Sequence, residues 1–201
     1  MLSLKYSIDD RIDIDGEVYE VNAMFDVMLR VVDLTMDEKL PPGVRVSTAL
    51  VLLIGTKEQI DKHMNPHVNY EFLDKYSIED RAVILEQILN KYMSIKDQDV
   101  PVDRAGNPMP IVESDDEEEL MDFDYDAEEI YASFMQAYHM DLIEQQGKLH
   151  WFKFKALLSG LPDETPIKQL ISIRGWEPDN DKKKYSTRMR EAQDKVRIRK
   201  K

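Results

Sequence analysis

The sequence predicts a mainly α-helical protein: an N-terminal β-hairpin plus helices, an acidic linker, and a small C-terminal helical bundle with a basic terminal helix. Three features carry that expectation. Alternating residues flank an early Asp-Gly pair, apolar stripes at helical spacing recur along the chain, and a proline- and acid-rich stretch separates two halves. The implied layout is a hairpin-plus-helices domain over 1–95, a linker over 96–122, a bundle over 123–178 and a basic tail or helix over 179–201.

Residues 10–21 alternate apolar and polar side chains on both sides of Asp15-Gly16, the pair that accepts the positive φ values of a primed two-residue turn. Asn22 is the expected N-cap of a helix whose Phe25, Met28, Leu29 and Val32 share a face. Thr35-Met36-Asp37-Glu38 has the form of a capping box, and Pro41-Pro42-Gly43 breaks the chain before the apolar stretch Val46–Ile54, read as a buried helix with a strand as the alternative. Ser77-Ile78-Glu79-Asp80 starts another helix, with Ile84, Leu85, Ile88, Leu89 and Tyr92 as its stripe.

The stretch from Ile95 to Met121 holds prolines at 101, 108 and 110 and the acidic run Asp115–Glu119. Too little apolar surface is available there to offset the entropy of ordering. Beyond it, Asp126-Ala127-Glu128-Glu129 caps a helix bearing Ile130, Tyr131, Phe134, Met135, Tyr138 and Leu142, with its end expected at Gly147. A second helix follows in "GKLHWFKFKALLSGLP", residues 147–162, stopped by Gly160 and Pro162. Thr165-Pro166 opens a third with Ile167, Leu170 and Ile171. The last segment offers Met189, Val196 and Ile198 as its apolar anchors.

The chain has 201 residues, 42% of them hydrophobic, which suits one ordinary domain or two small ones. No apolar run approaches the length of a membrane span, and the first ten residues lack a signal-peptide pattern, so the expected location is the cytoplasm. The absence of cysteine excludes disulfides, thiolate chemistry and cysteine-type zinc sites. Net charge is −13, yet residues 181–201 carry an excess of bases while 96–130 are strongly acidic. A basic tail of this kind either seeks an outside partner or lies on the chain's own acidic segment.

No Gly-rich phosphate loop, dinucleotide fingerprint or nucleophile elbow occurs, so the expectation is a protein without enzymatic activity or cofactor. Asp13-x-Asp15-Gly16 resembles a calcium loop only faintly, because Arg11 and Asn22 stand at its first and last ligand positions; the turn reading also explains the flanking alternation. His63 and His67 have helical zinc spacing but Pro66 between them and no third ligand. His139 and His150 read as structural histidines. In the aromatic block, Lys148, Lys153 and Lys155 interleave with Trp151, Phe152 and Phe154. That mixture can serve a bundle core, a protein docking face or, less well given the near-neutral local charge, stacked nucleic-acid bases.

Residues 124–142, "DYDAEEIYASFMQAYHMDL", followed by 149–176, "LHWFKFKALLSGLPDETPIKQLISIRGW", resemble a family of tail-morphogenesis proteins from phages and prophages of Gram-positive bacteria, encoded just ahead of the tape measure gene. The resemblance implies an assembly chaperone: one part binds the helical tape measure protein, another engages tail tube protein subunits, and self-association is open. On physical grounds the partner-binding candidates are Tyr131, Phe134, Met135, Tyr138, Trp151, Phe152 and Phe154. Eleven methionines suit adaptable helix-in-groove binding. The basic tail, Lys182, Lys183, Lys184, Arg188, Arg190, Arg197, Arg199, Lys200 and Lys201, would make a salt-sensitive contact with an acidic partner. The alternatives are a nucleic-acid-binding accessory protein acting through that tail, or a minor structural component of the tail.

Overall fold

A computed structural model describes residues 2–54, 70–93, 120–177 and 183–198. Among them the chain is mainly helical with one two-stranded antiparallel hairpin: β1 (Arg11–Ile14), β2 (Glu17–Glu20), α1 (Phe25–Met36), α2 (Pro42–Ile54), α3 (Tyr70–Lys75), α4 (Ile78–Met93), α5 (Ala127–Tyr138), α6 (Trp151–Ser159), α7 (Pro166–Arg174) and α8 (Lys183–Val196). His63, His67 and the linker up to residue 119 lie outside the described residues.

The hairpin forms on the expected register, Ile14 opposite Glu17. Asp15 and Gly16 both take positive φ, 53° and 82°, as a primed turn requires, and the Asp13 carboxylate accepts the Gly16 N–H at 3.0 Å. The Asp13-Asp15-Gly16 motif is therefore a turn.

The chain divides into two compact units, Met1–Lys96 with Gln146–Ala156, and Asp97–Gln145 with Leu157–Lys201. The segment 146–156, expected within a bundle over 123–178, thus packs with the N-terminal residues. Its backbone explains why: Trp151 N–H donates to the Ala23 carbonyl at 2.8 Å and Phe25 N–H to the Leu149 carbonyl at 3.0 Å, so Met24 and His150 form an antiparallel bridge. The Gly147 N–H also reaches the Asp26 carboxylate at 2.9 Å.

In this first unit α2 packs against both α1 and α4. Its C-terminal half, Ala49 to Ile54, is buried on all sides, as an all-apolar helical run must be. Phe25, Val27, Met28 and Val31 of α1, Ile84, Leu85, Ile88 and Tyr92 of α4, and Leu149, Trp151 and Phe154 of the returning segment are buried with it. The α4 start is the expected box: Ser77 Oγ accepts the Asp80 N–H at 3.1 Å and donates to the Asp80 carboxylate at 2.7 Å. Two other expected caps are corrected. Asn22 lies two residues before the N-cap, Met24, and gives its N–H to Leu53. Thr35 stays inside α1, its hydroxyl donating back to the Val32 carbonyl, while α2 begins at Pro42, with proline in the first turn where no N–H is needed.

In the second unit α7 packs against α5 and α8. Ile130, Phe134, Leu142, Leu161 and Ile167 are its buried apolar residues. The α5 helix ends at Tyr138, where His139 adopts the left-handed conformation (φ 52°), well before the expected stop; Gly147, also at positive φ, is a turn residue. Pro166 stands in the first turn of α7, as anticipated. Thr165, however, turns its hydroxyl to the Pro162 carbonyl instead of capping.

Candidate functional site

The aromatic block of the sequence is divided by its environment. Trp151 and Phe154 are buried, and Phe154 stacks on Phe25 at 4.9 Å between ring centroids. The indole N–H of Trp151 donates to the Tyr92 carbonyl at 3.1 Å, which the Lys155 ammonium also reaches at 2.9 Å. Burial pushes the Lys155 amine down from its usual pKa. Two donors thus satisfy one C-terminal carbonyl of α4, that of Tyr92. Phe152 is half-buried and stacks on Tyr92 at 5.4 Å.

A polar network anchors this face. Phe152 N–H donates to His150 Nδ1 at 3.0 Å, which leaves the proton on Nε2, 3.0 Å from Asp10 Oδ1. The Tyr92 hydroxyl donates to the same oxygen at 2.9 Å. Burial, followed by the Asp10 hydrogen bond and the charges of Asp10 and Asp9, raises the Tyr92 phenol far above its ordinary pKa. All three side chains are thereby committed to holding residues 150–152 in place.

The second unit has a different centre. Arg174 and Asp126 form a buried bidentate pair, Nη1 to Oδ2 at 2.6 Å and Nη2 to Oδ1 at 2.7 Å. Arg174 further donates through Nη1 to the Leu120 carbonyl at 3.0 Å and through Nε to the Val196 carbonyl at 2.7 Å, and its guanidinium lies 5.9 Å from the Tyr125 ring centre. One cation thus satisfies a carbonyl at the end of α8 and a carboxylate at the start of α5. Desolvation pushes the Asp126 carboxyl up, but the Arg174 hydrogen bonds, the Asp122 N–H and the guanidinium charge outweigh it, and the pKa ends below the ordinary value. Arg174 is raised chiefly by its hydrogen bond to Asp126. Asp126 precedes α5 as expected, yet its carboxylate accepts no N–H of α5, being turned onto Arg174 and the Asp122 N–H. Gln193 of α8 donates to the Arg174 and Trp176 carbonyls at 3.1 and 2.7 Å.

The anticipated partner-binding residues separate accordingly. Phe134, Trp151 and Phe154 are core, a correction that follows from their helices burying their broadest apolar faces. Tyr131 and Tyr138 are half-buried, their hydroxyls donating to Asp141 at 3.1 Å and to the Leu157 carbonyl at 2.8 Å. Met135 faces solvent, 39% exposed. Of the basic tail, Arg188, Arg190 and Arg197 are exposed on or just beyond α8, whose Met189, Ala192, Gln193 and Val196 are half-buried. Lys183 and Lys184 belong to the first turn of α8. Lys182, Arg199, Lys200 and Lys201 lie outside the described residues. Sequence reasoning missed Arg174, Asp10 and Gln193. An arginine in the last turn before Gly175-Trp176 was the one available signal.

In the two units Asp10, Tyr92 and His150, and Asp126 and Arg174, are held in internal hydrogen bonds. The family described as Bacteriophage Gp15 protein matches residues 7–198, and the chain belongs to that family. No curated protein sequence and no solved structure matches it. Among the described residues no helix is long and apolar enough to cross a membrane.

Proposed function

We propose that this chain is a non-enzymatic phage tail assembly protein, a chaperone that binds the tape measure protein and helps recruit tail tube subunits. The observation that carries the reading is the family match from 7 to 198, which takes both units and the aromatic block into one phage protein family. It is supported by the commitment of Asp10, Tyr92, His150, Asp126 and Arg174 to internal hydrogen bonds, which leaves solvent-facing apolar groups such as Met135 and Ile143 as binding material. A tape measure is a long helical chain with apolar seams, and a chaperone shields such seams by laying a helix face against them. The net charge of −13 keeps the loaded complex soluble.

The test is co-expression with the tape measure protein, affinity capture and light scattering. A soluble complex of defined mass supports the reading; an insoluble or uncaptured tape measure sinks it. The competing reading rests on the exposed Arg188 and Arg190 of α8 gripping phosphates. It requires nucleic-acid binding at low salt that falls steeply as salt rises and vanishes when residues 181–201 are removed.

A further inference from the structure

Within the second unit, the outer face of α5 and the loop after it form one surface. Glu128, Tyr131 and Met135 follow at helical spacing along the flank of α5 beside buried Ile130 and Phe134, with Glu128 and Met135 exposed and Tyr131 half-buried. Asp141 fixes the loop beside them. One carboxylate oxygen accepts the Tyr131 hydroxyl at 3.1 Å; the other accepts the N–H of Ile143 at 2.9 Å and of Glu144 at 3.2 Å. Ile143, 67% exposed, is thereby held out toward solvent by a locked turn instead of hanging on a loose loop. The charge is one-sided. From Leu120 to Gln146 the sequence holds seven carboxylates and no lysine or arginine, and among the described residues Asp126 is the one of them paired with a buried arginine.

We infer that this acid-rimmed apolar face, Met135 and Ile143 flanked by Glu128, Asp141 and Glu144, is a docking surface for a basic amphipathic helix, one whose apolar seam is bordered by lysine and arginine. The apolar pair supplies the contact area, and the carboxylates select against acidic or neutral helices by like-charge or unpaired contacts. Tyr131 supplies a rigid amphipathic ring at the boundary. The inference deepens the proposed function and rests on it for one point only, that such a helix belongs to the tape measure protein.

The surface is tested apart from that identity. The full chain is titrated, by fluorescence anisotropy, with a synthetic helix carrying a leucine seam flanked by lysine and arginine, and with the same peptide flanked by glutamate. The basic peptide is expected to bind saturably and more weakly as salt rises. Glu128→Lys with Glu144→Lys should weaken it roughly fivefold or more and favour the acidic peptide. Met135→Ala with Ile143→Ala should weaken the basic peptide with no loss of helical circular dichroism. Equal binding of both peptides, no binding, or insensitivity to both double variants overturns the inference. So does a wild-type dimer broken by the same changes, which would make a second copy the occupant. Capture of the tape measure by a chain that ignores the basic peptide would leave the proposed function standing and sink this surface alone.

Discussion

The two units solve the same problem, fixing distant segments around a buried polar group, with different chemistry. In the second, a full ion pair, Arg174 with Asp126, gathers the start of α5 and the ends of α7 and α8. In the first, Asp10 accepts from a histidine ring and a phenol and so holds β1's entry, the end of α4 and the 149–151 bridge. A buried ion pair is all or nothing, since removing one partner strands a charge. A network of mostly neutral donors around one carboxylate degrades bond by bond.

The largest effect expected is from Arg174→Ala, about 4 kcal/mol lost from the second unit because Asp126 is left buried and unpaired. Trp176, in that unit, reports it by fluorescence in denaturant, in a Trp151→Phe background. His150→Ala should cost the first unit about 2–3 kcal/mol through the lost bonds to Asp10 and Phe152 N–H, read through Trp151 with Trp176→Phe. Equal losses in both units from either change would erase the contrast.

Each centre also carries a pH dependence of its own. The folded pKa of Asp126 lies below the ordinary 3.8, so its stabilisation is present above that value and is lost as pH falls through the lower, folded one. The folded pKa of Tyr92 lies above the ordinary 10.0, so its contribution is present below pH 10 and is lost as pH climbs through the raised value. Alkaline titration should therefore alter Trp151 emission before that of Trp176, while the Asp126 contribution leaves Trp176 emission unchanged until pH falls through the lowered value. The smallest effect is that of Tyr92→Phe, about 1 kcal/mol at neutral pH, with the Tyr92 share of the alkaline loss abolished. A variant that keeps that share would remove Tyr92 from the account.

What the sequence made legible was local. The hairpin followed from Asp15-Gly16, α4 from Ser77 and Asp80, α7 from Pro166, and half of the α1 face, Phe25 and Met28, from its spacing, whereas Leu29 and Val32 are half-buried and Val27 and Val31 take the core beside them. Some errors are local, such as the hydroxyls of Thr35 and Thr165 turned back three residues, but the larger ones come from a side chain or segment drawn to a partner far along the chain. Asp126 looked like a cap and pairs with a residue 48 positions away. Leu149 to Phe154 showed a broad apolar surface, but periodicity does not say against what a surface packs, and its partners are Ala23, Phe25 and Tyr92. At six residues α3 is too short for a periodic signal. The core identity of Phe134 and Trp151 and the exposure of Met135 likewise depend on which neighbour covers each helix face.

The return of residues 146–156 to the first unit has a consequence for biosynthesis. About 60 residues separate Lys96 from Ala156, so at roughly 5–20 residues per second a ribosome needs about 3–12 s to supply the piece that Ala23 and Phe25 await. During that interval the nascent α1 and α4 present an open seam with Phe25 uncovered and the Tyr92 carbonyl unsealed. Maturation of the N-terminal unit is therefore gated by translation of the C-terminal half, and a chain released early cannot complete either unit.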